Sequence, residues 1–168
     1  MTTTALIVPA AISTFAPESK VWMYQSSRPF TAAETAEINT RLSAFAEQWT
    51  AHNKQLQAAG FVMLDRIIVL MVDESKTMAS GCSIDTSVHF IRSLEQHYQI
   101  ELFDRMLVNY YDGEQWRTTH LHNLRDNMQS GAITPDTLVV NPLVQTRSAF
   151  MEGSIVPARD CWIGDFLQ

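Results

Sequence analysis

The run Ile67-Ile68-Val69-Leu70-Met71-Val72 constrains this chain more than any other segment. Successive side chains of a strand point to opposite faces, so six apolar residues in a row leave no face for water. Such a strand belongs in the middle of a sheet covered on both sides. The wider stretch Phe61–Val72 is the most strand-like part of the chain, and the turn at Gly60 opens it.

Other periodicities supply the covering layers. Thr31-Ala32-Ala33-Glu34 has the capping-box pattern, a hydroxyl at the N-cap and a Glu three residues on. The helix it starts carries Ile38, Leu42, Phe45 and Trp49 as one apolar stripe and should end near His52-Asn53. A second helix, about 84–98, aligns Ile84, Val88, Ile91, Leu94 and Tyr98. Strands are expected at Lys20–Gln25 and Phe103–Tyr111, and the strand in Phe61–Val72, the helix 84–98 and the strand Phe103–Tyr111 suggest a right-handed βαβ unit with parallel strands. Asp112-Gly113 is a strong hairpin signal, predicting that Gln115–Thr118 pairs antiparallel with Met106–Tyr111. A third helix over about 119–129 would stop at Gly131, followed by a strand at Thr137–Val140 and a short helix near Leu143–Met151. The tail residues Trp162, Phe166 and Leu167 should dock on the body.

The expected fold is a single α/β or α+β domain over residues 20–168, with a mixed sheet of four to six strands packed by three main helices. Residues 1–19 read as a loosely ordered arm, with a short edge strand at Leu6–Pro9. Leu64-Asp65-Arg66 and Phe103-Asp104-Arg105 echo one another; similar polar entries into a sheet explain the echo better than duplication does.

Eighteen acids against 12 bases give a net charge of −6, and nearly all the excess lies in the second half. No basic cluster appears, so a nucleic-acid partner is not expected. The start of the chain lacks the basic n-region of a signal peptide, and no apolar run approaches a membrane span, so the cytoplasm is the expected location. Cys82 and Cys161 lie far apart, share no metal-ligand spacing and read as reduced thiols.

The chemistry concentrates at Ser80-Gly81-Cys82-Ser83-Ile84-Asp85, a polar loop running into a helix. Free N–H groups and partial positive charge at a helix start favour anions and thiolates. Cys82 is a candidate nucleophile, with His52, His89, His97, His120 and His122 as candidate bases. The ordinary alternative is that Ser83 or Asp85 caps the helix and Cys82 is a small buried hydrophobe. The loop could also cradle an anion, with Arg28, Arg66 or Arg105 supplying a guanidinium fork. The G-x-S-x-G elbow is incomplete because Asp85 replaces the second glycine. His120 and His122 lack further ligands at metal spacing, so neither a metal nor a cofactor is expected.

The segments Val21–Phe30, Gln48–His52, Ser80–Asp85, Phe103–Val108 and Ile133–Thr137 together resemble an uncharacterised bacterial family whose members often carry the label "ABC transporter ATPase". The resemblance runs from Lys20 onward and implies no particular activity, substrate or catalytic residue. A transporter ATPase needs a P-loop, and G-x-x-x-x-G-K-[ST] occurs nowhere in the chain, so ATP hydrolysis is not supported. The reading is a binding protein for a small ligand or a protein partner. Gly81, Cys82, Ser83 and Asp85 form its contact region, with Arg28, Trp49 and His52 as neighbours; the alternative is a thiol enzyme with Cys82 as nucleophile and a histidine such as His52 as base. Oligomeric state stays open.

Overall fold

A computed structural model describes residues 6–168. The strand expected from the apolar run is β5 (Ile67–Asp73), and all seven of its residues are buried. It lies between β1 (Lys20–Gln25) and β4 (Gln57–Met63), paired antiparallel with both. Ile68, Leu70 and Val72 face one core, under α1 (Ala32–Gln48) and α2 (Gly81–Tyr98), with Ile38, Leu42, Trp49, Ile91 and Leu94. Ile67, Val69 and Met71 face a second core with Ile12, Phe15, Val144 and Phe150. Two apolar faces on one strand explain why its sequence shows no alternation.

A short hairpin, β2 (Thr50–Ala51) and β3 (Lys54–Gln55), follows α1. The second main sheet has the order β7-β6-β8-β9, from β7 (Trp116–His120), β6 (Leu107–Tyr111), β8 (Leu138–Val140) and β9 (Ile155–Pro157). The helix α3 (Leu124–Gln129) supplies Leu124 to its core, and Ile133, Val139, Ala158 and Ile163 complete that cluster. The helix α4 (Arg147–Gly153) instead packs Phe150 into the second core of the first sheet.

The molecule is thus mixed α+β with four helices and three antiparallel sheets, among the described residues, where the sequence suggested one mixed sheet. The expected parallel βαβ unit does not form. Both edges of β5 are already taken by β1 and β4, so the chain leaving α2 enters the other sheet as β6. The stretch Phe61–Val72 is not one strand but a hairpin, turning at Leu64 (φ 55°) and Asp65 (φ 54°) with the Arg66 N–H donating to the Met63 carbonyl. Two successive left-handed residues make a type I′ turn, usually signalled by Asn-Gly, and Leu-Asp hides it. Strand β4 also separates Leu64-Asp65-Arg66 from the preceding helix, so the two echoed segments occupy different contexts.

Other boundaries moved for local reasons. Helix α1 stops at Gln48 because Trp49 turns extended to fill the core, and His52 and Asn53 form the left-handed turn of the β2–β3 hairpin. The Asp112-Gly113 hairpin forms as expected, but β7 continues to His120 and the third helix begins only at Leu124. No strand forms at Leu6–Pro9; instead a 3-10 turn at Ala10–Thr14 buries Ile12, and Phe15 follows it into the core. Residues 1–5 of the expected arm lie outside the described residues. In the tail, Trp162 and Leu167 pack on the third cluster while Phe166 is exposed.

Gly60 sets how closely α1 approaches the sheet. A Cβ there would lie 3.1 Å from both Leu42 Cβ and Leu70 Cδ2, and both leucines are fully buried. Gly60→Ala is expected to destabilise the fold by about 1–3 kcal/mol through overpacking. A urea melt checks it, and an unchanged midpoint would show that the helix can move away without cost.

Candidate functional site

The loop before α2 is ordered by its own side chains. Asp73 Oδ1 accepts the Ser75 N–H at 2.9 Å, and Glu74 Oε2 accepts the Ala79 N–H at 2.8 Å. Burial alone would raise the Asp73 pKa, but hydrogen bonds from Ser75 and from the Ala16 N–H outweigh it, so the carboxyl titrates below its usual range. Ser80 is the N-cap. Its hydroxyl accepts the Ser83 N–H at 3.1 Å, and the Ser83 hydroxyl accepts the Ser80 N–H at 2.7 Å. This is a capping box with serine in the position usually held by Glu or Gln.

Ser83 is therefore 3% exposed and occupied with helix capping. Ser80 takes the N-cap role that the sequence offered to Ser83 or Asp85. Trp49 comes to the same place, its indole N–H donating to the Ser83 carbonyl at 2.8 Å, but it is 2% exposed and packs on Trp22 and Phe45. Gly81, Cys82 and Asp85 stay on the surface, and a Cβ at Gly81 would meet nothing within 4 Å. Cys82 is exposed, so it is not the buried hydrophobe of the ordinary alternative.

His52 sits at the exposed tip of the β2–β3 hairpin, and β2 lies against α2. Cys82 Sγ makes no hydrogen bond to any histidine among the described residues. The other histidines have partners elsewhere: His97 Nε2 lies 3.5 Å from Glu37, and His120 Nε2 lies 3.3 Å from Asp104. His89 is exposed on α2. Rings of His120 and His122 lie 4.2 Å apart, yet no group of three or more metal-ligating side chains occurs among the described residues.

Arg28 is not a neighbour of this loop. Its Nη2 donates to the Tyr98 carbonyl at 3.0 Å, at the opposite end of α2, roughly 27 Å away along an 18-residue helix. There it also grips Glu34 with two bonds of 2.8 and 2.9 Å. The guanidinium satisfies the negative end of α2, and Glu34 sits in the first turn of α1, both favoured by the helix dipoles. The Arg28 hydrogen bonds, followed by the Thr31 N–H, hold the Glu34 pKa down to about 2. A depressed carboxylate stabilises the fold above its unfolded value and loses that contribution as pH falls from about 5 towards 2. Because the pair is partly solvated, about 1 kcal/mol is expected. Urea midpoints at pH 7 and pH 3 should therefore fall less for Glu34→Gln than for the wild type; equal falls would remove this ion pair from the acid response.

Arg66 is the polar residue the sequence placed least well. It is 8% exposed, and its Nη1 donates to Thr118 Oγ1 at 3.0 Å, at the end of a buried chain from Gln25 through Asn109. The only sequence signal was an Arg in a segment that turned out to be a hairpin turn. No helix is long and apolar enough to cross a membrane among the described residues. No protein-family model matches the chain, and no curated protein or solved structure matches it either.

Proposed function

We propose that this protein works by binding, with the surface from Met78 to Asp85 as its contact region for a protein partner or a small ligand. One observation carries the reading. The segment between β5 and α2 has no regular structure, yet hydrogen bonds pin it while Met78 is left 67% exposed, close in sequence to the exposed Cys82. An ordered loop that presents an exposed flexible thioether is a common form of recognition surface. A protein partner suits it better than a small molecule, since small-molecule sites are concave and Gly81 faces open space. The family resemblance belongs to the same proposal and brings no activity with it.

Alkylation of Cys82, read by mass spectrometry in producing cells and in purified protein, tests the reading. Protection of Cys82 in cells that disappears in Met78→Asp is the expected result. Equal rates in both settings would remove this surface as the contact region.

The exposure of Cys82 at the second position of α2 favours a second reading, a thiol nucleophile. Cys161 is the internal control, because burial pushes its thiol pKa up and half-covers it. Cys82 is expected to alkylate roughly tenfold faster or more at neutral pH. A Cys82 rate that saturates well below ~8.5 supports the nucleophile, and a rate still rising through that pH dismisses it.

A further inference from the structure

We propose that the outer edge of β7 is a self-pairing surface, on which a second copy of this chain lays its own β7 antiparallel about a twofold axis. The edge strand of a sheet is a template for pairing, and proteins normally obstruct it. The other edges of the two main sheets are obstructed. Residues 145–147 run along β1, where the Val21 N–H donates to the Gln145 carbonyl at 3.0 Å. Helix α1 overlies β4, and Asn39 Oδ1 accepts the Val62 N–H at 2.9 Å. Strand β9 is only three residues long and carries Pro157, which has no N–H to offer. Strand β7 has none of these devices. None of its five residues is fully buried, and β6 is the only element in extensive contact with it among the described residues. The Arg117 guanidinium, the charge that could guard this edge, is held by Asp112 of its own hairpin at 2.7 Å.

The hydrogen-bond alternation fixes which backbone groups face outward. The Leu121 N–H donates to the Met106 carbonyl at 2.8 Å, and the Asp112 N–H donates to the Gln115 carbonyl at 3.0 Å. Bonded and non-bonded pairs alternate between these ends of the β6–β7 ladder, so Arg117 and Thr119 turn their backbone groups towards β6. Trp116, Thr118 and His120 turn theirs away, and their N–H groups have no acceptor among the described residues. A twofold centred on Thr118 sets these residues against the partner's His120, the partner's Thr118 and the partner's Trp116. It also sets Arg117 against the partner's Thr119 and not against a like charge. The ends of the strand fit the same arrangement. The exposed Glu114 at the hairpin tip comes beside the partner's His122, with the partner's Arg125 a few residues further on. Glu114, His122 and Arg125 form no ion pair among the described residues. An edge with acid at one end and base at the other is complementary to its own reverse, and the twofold makes each contact twice. That self-complementarity selects a second copy over an unrelated strand, on a surface that includes no residue of the Met78–Asp85 region.

Sedimentation velocity of the full chain tests the pairing. A monomer–dimer equilibrium between about 1 μM and about 1 mM is expected for an interface this small. Glu114→Lys changes exposed side chains only and should weaken the dimer roughly tenfold, since it reverses a charge at both ends of the paired strands. Adding His122→Glu should restore it. Amide exchange of the wild type, followed by NMR, locates the contact without any substitution. In dilute protein the N–H groups of Arg117 and Thr119 should be protected by β6, while those of Trp116, Thr118 and His120 exchange freely. In concentrated protein the exchange of Trp116, Thr118 and His120 should slow roughly tenfold or more. A chain that stays monomeric throughout overturns the proposal. So does a dimer that Glu114→Lys leaves unweakened, or an outward set of amides whose exchange does not change with concentration.

Discussion

Trp49→Ala is expected to destabilise this protein by about 3–5 kcal/mol, the range for removing a large buried aromatic side chain. The indole is 2% exposed and fills the junction where α1 ends, β1 passes and α2 begins. Its ring centroid lies 6.0 Å from that of Trp22 and 5.1 Å from that of Phe45, which itself stacks on Phe90 of α2 at 4.3 Å. Removing it opens a cavity that rigid neighbours from three elements cannot easily fill. Trp49→Phe is the milder change: it keeps an aromatic ring in the core but loses the remainder of the indole and the bond to the Ser83 carbonyl, a cost of about 1–3 kcal/mol. Urea melts of the two variants make the comparison. A Trp49→Ala midpoint within 1 kcal/mol of wild type would mean that the indole is not a structural anchor.

That residue shows how far the sequence could be read. The 3.6-residue stripe correctly placed Ile38 and Leu42 inward, because helix periodicity depends only on local spacing. The same stripe could not reveal that Trp49 leaves the helix and meets Ser83, 34 residues on. Capping chemistry was equally legible at Thr31-Glu34, where residue types match the rule, and less so at Ser80–Ser83, where a serine plays the part of Glu. Sheet membership was the main loss. Nothing in the residues of β5 and β6 states that β1 and β4 occupy both edges of β5, since pairing partners are chosen over long sequence distances. Of the candidate site, Gly81, Cys82 and Asp85 lie together on the surface and His52 lies on the neighbouring hairpin, whereas Arg28 braces the far end of α2.

The division into two sheets makes the bond between them the next place where a single change should act strongly. Gln25 ends β1, Asn109 lies in the middle of β6, and both are buried, Asn109 completely. Asn109 Nδ2 donates to Gln25 Oε1 at 2.7 Å, Thr118 Oγ1 donates to Asn109 Oδ1 at 2.6 Å, and Gln25 Nε2 donates to the Leu107 carbonyl at 3.2 Å. Asn109→Leu conserves volume but strands the buried Gln25 oxygen and removes the acceptor of the half-buried Thr118 hydroxyl. Each buried group left without a partner costs about 1–3 kcal/mol, so a loss of about 2–4 kcal/mol is expected. Gln25→Leu should cost a comparable amount by stranding the Asn109 amide. The double variant should be less destabilised than the sum of the two, because neither member of the pair is left stranded by the other and an apolar contact replaces it, while the Thr118 hydroxyl and the Leu107 carbonyl lose their partners as in the single variants. Denaturant midpoints of the four proteins give the coupling directly. Additive losses would show that Gln25 and Asn109 act independently.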